Sequence, residues 1–600
     1  MTKKTILGIS AALVLAACGQ NATAPQSPQG SVSAQGKATT TTLTPCQALY
    51  AARPTTVQVQ SNMRYGSVGT LILSFVDETT KGQAIDWMDS EFDVDLGDGL
   101  GAFDVLPIVA IKTLVTPEVV AKLQQKLEPL GLVSIYQDEP LQYFLGESTK
   151  FIGSTQARQT FGLSGKGVGV AVIDSGIDGT HPDLQLGQNI GRNVKIVGSI
   201  LDTPLGGYMY ADLPNTDTTS GHGTHVAGTI AGTGAASKGK YVGVAPGTTL
   251  LGIGAGDGIS ILYALQGFDF ALKQENREKY NIRIISNSWG TSGSRFAPYN
   301  PISIASKQAY DLGIIVNFAA GNEGPGQDTL NPYSASPCVM SVAAGDKKGY
   351  LADFSSRGVP GDPYHHPDIT APGVKIVAAR DATGAVTPPY TADPENALYY
   401  SSLSGTSMAT PHISGVQALM LEANPKLKLD DILAIFQKTA RPVYHTTGTV
   451  TSKREAWEVG YGYVDAYAAI KRSVELNPTR YTLTTTKLPA WTGTVNTAVC
   501  APLVDCAVNA EHTHTLTVPS GQTALRINTD WGNPAYDLDL YVYDPSGNLA
   551  GSSAQAASTG EAVSIPYPAA GTWKVVLKGY LNAATSYNGT AEVDKLTQVK

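Results

Sequence analysis

The stretch Gly405-Thr406-Ser407-Met408-Ala409-Thr410-Pro411-His412 decides how this chain is read. A tight glycine-led turn delivers Ser407 at the start of a run of small residues, 408–421, that predicts a helix. The first turn of a helix carries unpaired backbone N–H groups and the positive end of the helix dipole. Developing negative charge is therefore favoured beside Ser407. Two upstream segments complement it. In Val172-Ile173-Asp174-Ser175-Gly176-Ile177-Asp178, Asp174 follows a Val-rich apolar run, 168–173, that predicts a buried strand. In Gly221-His222-Gly223-Thr224-His225-Val226-Ala227-Gly228, flanking glycines leave the His222 ring unobstructed, and the following residues look helical. A serine hydroxyl is a weak nucleophile until a histidine takes its proton. The histidine works best when a carboxylate fixes its tautomer and steadies the imidazolium.

Taken together, in the chain order Asp, His, Ser, these segments resemble the motifs of the subtilisin-like (subtilase) serine peptidases, over about 150–470. The resemblance implies an α/β fold with a doubly wound, mostly parallel sheet. It implies a serine endopeptidase that cuts proteins or peptides through an acyl-enzyme. Ser407 is then the nucleophile, His222 the base and Asp174 the orienting acid. Asn322, in Phe318-Ala319-Ala320-Gly321-Asn322-Glu323-Gly324, is the implied oxyanion donor alongside the Ser407 N–H. Ser288-Trp289-Gly290 resembles the family strand that pairs with an extended substrate, and Ala319-Ala320-Gly321 the opposite wall of the primary specificity pocket. Pairing of this kind works through main-chain bonds and tolerates many sequences. Small wall residues leave room for a large apolar side chain. Trp289 stands where the family usually has a smaller aliphatic residue.

The chemistry needs no cofactor, but the resemblance raises structural calcium. Asp183, in Thr180-His181-Pro182-Asp183-Leu184, matches a segment whose aspartate is a calcium ligand in the family. The partnering loop, 232–240, lacks the Asn-rich sequence of that site. Asp537 and Asp539 offer a second candidate pair, although alternating acids on a strand are usually solvated.

Rival chemistries fit poorly. An α/β-hydrolase needs its serine ahead of its acid and histidine, on Gly-x-Ser-x-Gly, and here Ala409 replaces the second glycine. His222 and His225 lack the His-Glu-x-x-His arrangement of a zinc hydrolase. His225 and His412 are expected to be packed or hydrogen-bonded. A peptidase-like binding protein with a disabled centre, such as a surface adhesin, is the alternative from another class. The intact set Asp174, His222, Ser407 and Asn322 speaks against it.

Composition and pattern set the organisation. Six hundred residues exceed a single core. A net charge of −8 gives no support to a nucleic-acid partner. Lys3, Lys4 and the short apolar run 6–17 read as an export signal, 1–18, ending in Leu15-Ala16-Ala17-Cys18. That ending resembles a bacterial lipobox, which implies acylation of Cys18. Ordinary cleavage after a small residue is the alternative. The protein is thus expected outside the cell or on its surface, with the membrane reached only through that lipid. Residues 19–45 are polar and read as a flexible linker. Residues 46–145 order as strand, strand, helix, strand. Thr116 caps a helix that starts at Pro117 and shows Val119, Leu123 and Leu127 on one face. This order resembles the inhibitory propeptide of subtilases, a partner carried in the chain itself. It predicts self-cleavage within 140–150. Strands and helices alternate over 150–475, the pattern of the peptidase domain. Residues 480–600 carry short alternating strands between turn clusters, an antiparallel β-sandwich. Asp537-Leu538-Asp539-Leu540-Tyr541-Val542 and Gly571-Thr572-Trp573-Lys574-Val575 resemble the pre-peptidase C-terminal domain of secreted bacterial peptidases. Of five cysteines, Cys500 and Cys506 suit a local disulfide, and Cys338 reads as an inert buried strand thiol.

Overall fold

A computed structural model describes residues 43–598, except 51–53, 92–99, 139–141, 144–148, 202–209, 500–509 and a few isolated positions. Cys18, Cys500 and Cys506, with the signal and most of the linker, lie outside the described residues.

The centre is an eight-stranded sheet. Its order is Ile369–Pro372, Met340–Gly345, Ile315–Ala319, Ile282–Asn287, Gly169–Asp174, Thr249–Gly254, Ile190–Ile196 and Tyr210–Asp212. Every pairing is parallel except the last. The strands are nearly all buried, as their continuous Val/Ile runs demand when helices cover both faces. Helices Ile261–Leu272 and Pro301–Asp311 cover one face; His222–Ala231 and Thr406–Ala423 cover the other.

Ahead of it, residues 58–137 form a five-stranded sheet in the order Gln58–Val59, Leu132–Gln137, Val68–Phe75, Ile108–Leu114, Leu100–Ala102. Leu71, Leu73, Val109, Ile111 and Ile135 face its own helices, Glu78–Glu91 and Pro117–Leu127. Ile72, Ala110, Val133 and Tyr136 join the peptidase core beside Phe268 and Ile302. Both faces of this sheet are therefore buried, the second only because the peptidase covers it. Thr116 caps its helix, accepting the Val119 N–H at 3.2 Å. The buried stripe is Val120, Leu123 and Leu127, so Val119 sits at its margin rather than on it.

Two expectations are corrected. Residues 44–45, assigned to the linker, are folded: Thr44 and Gln47 form a capping box on helix Pro45–Leu49. Cys338 is no free thiol. It lies ahead of its strand and forms a disulfide with Cys46.

The C-terminal part is two five-stranded antiparallel sheets enclosing Trp491, Leu525, Ile527, Leu538, Leu540, Trp573 and Leu577. It is seated firmly on helix Ala466–Glu475. Arg526 donates to Asp465 at 2.8 Å, and Lys471 reaches Glu592 and Asp594 at 2.8 and 2.9 Å. Tyr481 and Ala524 join the peptidase core. No helix among the described residues is long and apolar enough to cross a membrane.

Candidate active site

Asp174 ends strand Gly169–Asp174 at the carboxyl edge of the sheet, between Thr249–Gly254 and Ile282–Asn287. Open α/β sheets gather ligands at such edges. His222 opens helix His222–Ala231, and its Nδ1 lies 2.6 Å from Asp174 Oδ1, with both side chains fully buried. The glycines around His222 serve a different end from the one expected. A Cβ on Gly223 would stand 2.1 Å from the Gly176 carbonyl oxygen, so glycine lets the helix start come up against the strand end. Gly221 takes φ +83° and would meet Thr387 if it carried a side chain.

With glycine at the N-cap, the helix takes its capping carboxylate from upstream. Asp217 Oδ1 accepts the Gly221 N–H at 2.9 Å; Oδ2 accepts the Thr224 N–H at 2.9 Å and its hydroxyl at 2.7 Å. Burial pushes this carboxyl up to about 6, against the pull of those donors. Sequence reading missed Asp217, although a carboxylate five residues before the histidine, with a threonine at the third helical position, is a capping signal.

Ser407 is the second residue of helix Thr406–Ala423. A polar network pins that helix to the sheet: Ser414 donates to Ser286 at 2.9 Å, and Asn317 Nδ2 donates to Ser414 and Gln417 at 2.8 and 2.7 Å. Ser407 Oγ donates to the Ser288 carbonyl at 2.6 Å, and Ser288 Oγ returns a bond to the Ser407 carbonyl at 2.8 Å. Asn322 Oδ1 accepts the Thr406 N–H at 3.0 Å and its hydroxyl at 2.9 Å. This fixes which arm of the amide is committed. Its NH2 has no protein partner among the described residues.

The two expected pocket walls are joined by a residue that sequence reading passed over. Asn331 Nδ2 donates to the Trp289 carbonyl at 3.2 Å and to the Ala319 carbonyl at 2.9 Å, while its backbone N–H donates to Ala320 at 2.8 Å. Gly290 lies flat on it: a Cβ there would be 2.3 Å from the Asn331 amide. The Trp289 indole stays out of the pocket. It is fully buried, stacks edge-on against Phe318 and donates to the Ile173 carbonyl at 2.7 Å. Only the main chain of Trp289 remains for pairing. Ala320 sits with Leu330, Ala335 and Phe296 in a small apolar cluster, and Gly321 N–H donates to Thr406 Oγ1 at 3.2 Å.

Strand Trp289–Gly290 is occupied. Gln142–Tyr143, from the chain joining the N-terminal sheet to the peptidase, pairs with it antiparallel, Tyr143 opposite Trp289 and Gln142 opposite Gly290.

The remaining candidates play structural parts. Asp183 Oδ1 accepts the Ala236 N–H at 2.9 Å and Oδ2 the Tyr400 hydroxyl at 2.7 Å. Asp539 accepts the Tyr541 hydroxyl at 3.1 Å, and it and Asp537 are half-buried rather than solvated. Among the described residues no three His, Cys, Asp or Glu groups cluster to hold a metal ion. His225 Nε2 meets the carbonyls of Ile376 and Ser401 at 3.0 and 3.2 Å, and burial pushes its ring down to about 3, so it is neutral. His412 Nδ1 bonds the Met408 carbonyl at 2.6 Å.

Sheet, crossover helices and edge site together mark a doubly wound α/β protein with its candidate site at the carboxyl edge of the sheet. The profile of the subtilase family matches residues 165–464, half of the chain, and the protein belongs to that family of serine proteases. The bacterial pre-peptidase C-terminal domain matches 510–579. Serine protease AprX of Bacillus subtilis is 35% identical over 288 residues, 45% of this chain and 60% of AprX. The thermostable alkaline protease of Halalkalibacterium halodurans is 31% identical over 363 residues, 59% of this chain and 82% of that protein. Among solved structures, fervidolysin from Fervidobacterium pennivorans, described as a keratinolytic enzyme related to subtilisin, aligns at 20% identity with a TM-score of 0.49, covering 85% of this chain and 87% of that one.

Proposed function

We propose that the chain is an exported endopeptidase that cuts proteins through Asp174, His222 and Ser407 and matures by cutting itself. The observation that carries this is the buried 2.6 Å contact between His222 Nδ1 and Asp174 Oδ1, on the same sheet edge as a serine in the first turn of a helix. The carboxylate holds the proton on Nδ1, which leaves Nε2 as the base. Ser407 Oγ turns from the Ser288 carbonyl, passes its proton to Nε2 and attacks the scissile carbonyl. His222 then protonates the leaving amine, and water repeats the sequence on the acyl-enzyme. The oxyanion is received by the Ser407 N–H and the uncommitted NH2 of Asn322. Substrate adds a strand to Trp289–Gly290, with an apolar side chain directed to the Ala319–Gly321 wall. No cofactor takes part.

The pairing of Gln142–Tyr143 with Trp289–Gly290 supports both inhibition by the N-terminal segment and self-cleavage within 140–150. On this reading the segment takes the strand position proposed for substrate. Residues 1–18 are proposed as a lipoprotein-type signal with acylation at Cys18, which places the protein at the cell surface or, once freed, outside the cell.

Ser407→Ala tests the assignment. It should abolish casein hydrolysis, labelling by a fluorophosphonate and the appearance of an N-terminus within 140–150, while leaving the thermal midpoint within a few degrees. Hydrolysis by that variant at the wild-type rate overturns the assignment.

A further inference from the structure

Cys46 and Cys338 are 292 residues apart in sequence, yet bridged, with both side chains fully buried. The bond does not stand alone. The short stretch around Cys46 is seated on the peptidase by its own contacts. Thr44 shares a hydrogen bond with Tyr310 at 2.6 Å, and Tyr310 donates to Asp430 at 2.6 Å. Tyr50 donates to the Pro298 carbonyl at 2.7 Å, lies edge-on to Tyr299 with ring centres 5.8 Å apart, and has Lys307 Nζ 5.3 Å from its ring centre. Residues 44–50 thus belong physically to the peptidase, although the whole N-terminal sheet, 58–137, stands between them and it in sequence.

The N-terminal segment is therefore held at two ends. Near its end it lies as strand Gln142–Tyr143 on Trp289–Gly290, which is non-covalent. At its start it is bonded through Cys46. A cut within 140–150 breaks the backbone link beside the first of these and leaves the disulfide intact. We propose that self-cleavage yields a two-chain protein in which the N-terminal segment stays attached through Cys46–Cys338, so that its departure requires a second covalent step. This rests on the self-cleavage proposed above. A tethered segment returns to its site as an intramolecular ligand, at an effective concentration of around millimolar for a short link. Cleavage by itself is then a poor trigger of release. One sufficient second step, once local opening of residues 44–50 exposes the buried bond, is thiol–disulfide exchange with an external dithiol. Its first thiolate attacks one sulfur and expels the other as thiolate; its second thiol resolves the mixed disulfide. The dithiol leaves oxidised, and Cys46 and Cys338 take up two electrons and two protons as thiols.

The test is a paired gel on exported protein, alkylated at once to block exchange. Without reductant, the cut wild-type chain should run as one full-mass species; with dithiothreitol it should split into two fragments. Cys46→Ser should give two fragments in both lanes and lose the N-terminal one on gel filtration. The same reading is made independently of self-cleavage. A recognition sequence for a site-specific protease is placed at 144–148 in the Ser407→Ala chain and cut from outside. Full mass without reductant after that cut supports the tether even if the wild type never cuts itself; that failure would instead count against the proposed function. Two fragments without reductant, or separate alkylation of Cys46 and Cys338 in unreduced protein, overturns the tether.

Discussion

Asn331 Nδ2 donates to Ala319 at 2.9 Å and to Trp289 at 3.2 Å, so one amide spans the two segments proposed to hold substrate. Asn331→Asp keeps the shape and removes both donors, leaving two buried carbonyls facing a carboxylate. An unpaired buried polar group costs about 1–3 kcal/mol. We expect KM for a peptide with an apolar residue before the scissile bond to rise roughly tenfold, with kcat falling less. Steady-state kinetics on chromogenic peptides decide it. Unchanged KM and unchanged side-chain preference would show that Asn331 only packs.

Asn322 gives a contrasting signature. Its NH2 is proposed to meet charge that exists only in the transition state, so Asn322→Ala should lower kcat by about 10²–10³ and barely alter KM. That magnitude is the general one for removing a single oxyanion-hole donor. A proportionate rise in KM with kcat intact would assign Asn322 to ground-state binding.

The carboxylate that caps the His222 helix carries a pH dependence. Burial raises Asp217 to about 6, so the folded chain holds that proton more tightly than the unfolded chain. The stability this adds is complete below about pH 4 and is lost as pH rises through about 6. Asp217→Asn does not titrate. In a Ser407→Ala background, the unfolding free energy of wild-type Asp217 relative to the Asn variant should therefore fall between pH 4 and 7, by an amount on the order of 2–3 kcal/mol. Parallel curves in urea melts across that range would rule out this linkage.

Arg526 and Asp465 make a buried ion pair between sandwich and peptidase, and Asp465 also caps its helix through the Ala468 N–H at 2.9 Å. Arg526→Met leaves the carboxylate without its hydrogen-bonded cation, with only Arg441 nearby, at a cost of up to about 3–5 kcal/mol. Adding Asp465→Asn removes the charge, keeps the cap and should recover most of the loss. Calorimetric midpoints of the two variants measure this. If Arg526→Met is silent, the sandwich contributes little to peptidase stability.

The sheet strands and the helix of Ser407 were legible because each depends on a short local pattern; the Asp174–His222 pairing was legible only through the resemblance of their motifs to those of the subtilases. A run of β-branched residues or a glycine-led turn needs no distant partner to be recognised. Trp289 was harder. Its place in a substrate-like motif says nothing of an indole that turns inward onto Ile173 and Phe318. Asn331 has no motif at all; its role exists only once 289 and 319 are brought together. The bridge from Cys46 was hidden by its sequence separation, although cysteine arithmetic held a clue. Setting aside Cys18 and the expected pairing of Cys500 with Cys506 leaves two cysteines of the five, and two leftovers in a protein proposed to be exported suit a bond.

That bridge also has a different thermodynamic meaning before and after the proposed cut. In the intact chain it closes a covalent ring spanning the 292-residue separation, which restricts the unfolded ensemble. Chain-entropy reasoning puts the effect for so large a ring at roughly 5 kcal/mol. Opening the backbone anywhere in the ring abolishes it, since the bond then joins two open chains. The precursor is the topologically constrained form, and maturation linearises it. By this reasoning the uncut chain is the form most resistant to unfolding, and it gives up that margin at the backbone cut, while the disulfide still holds the N-terminal segment.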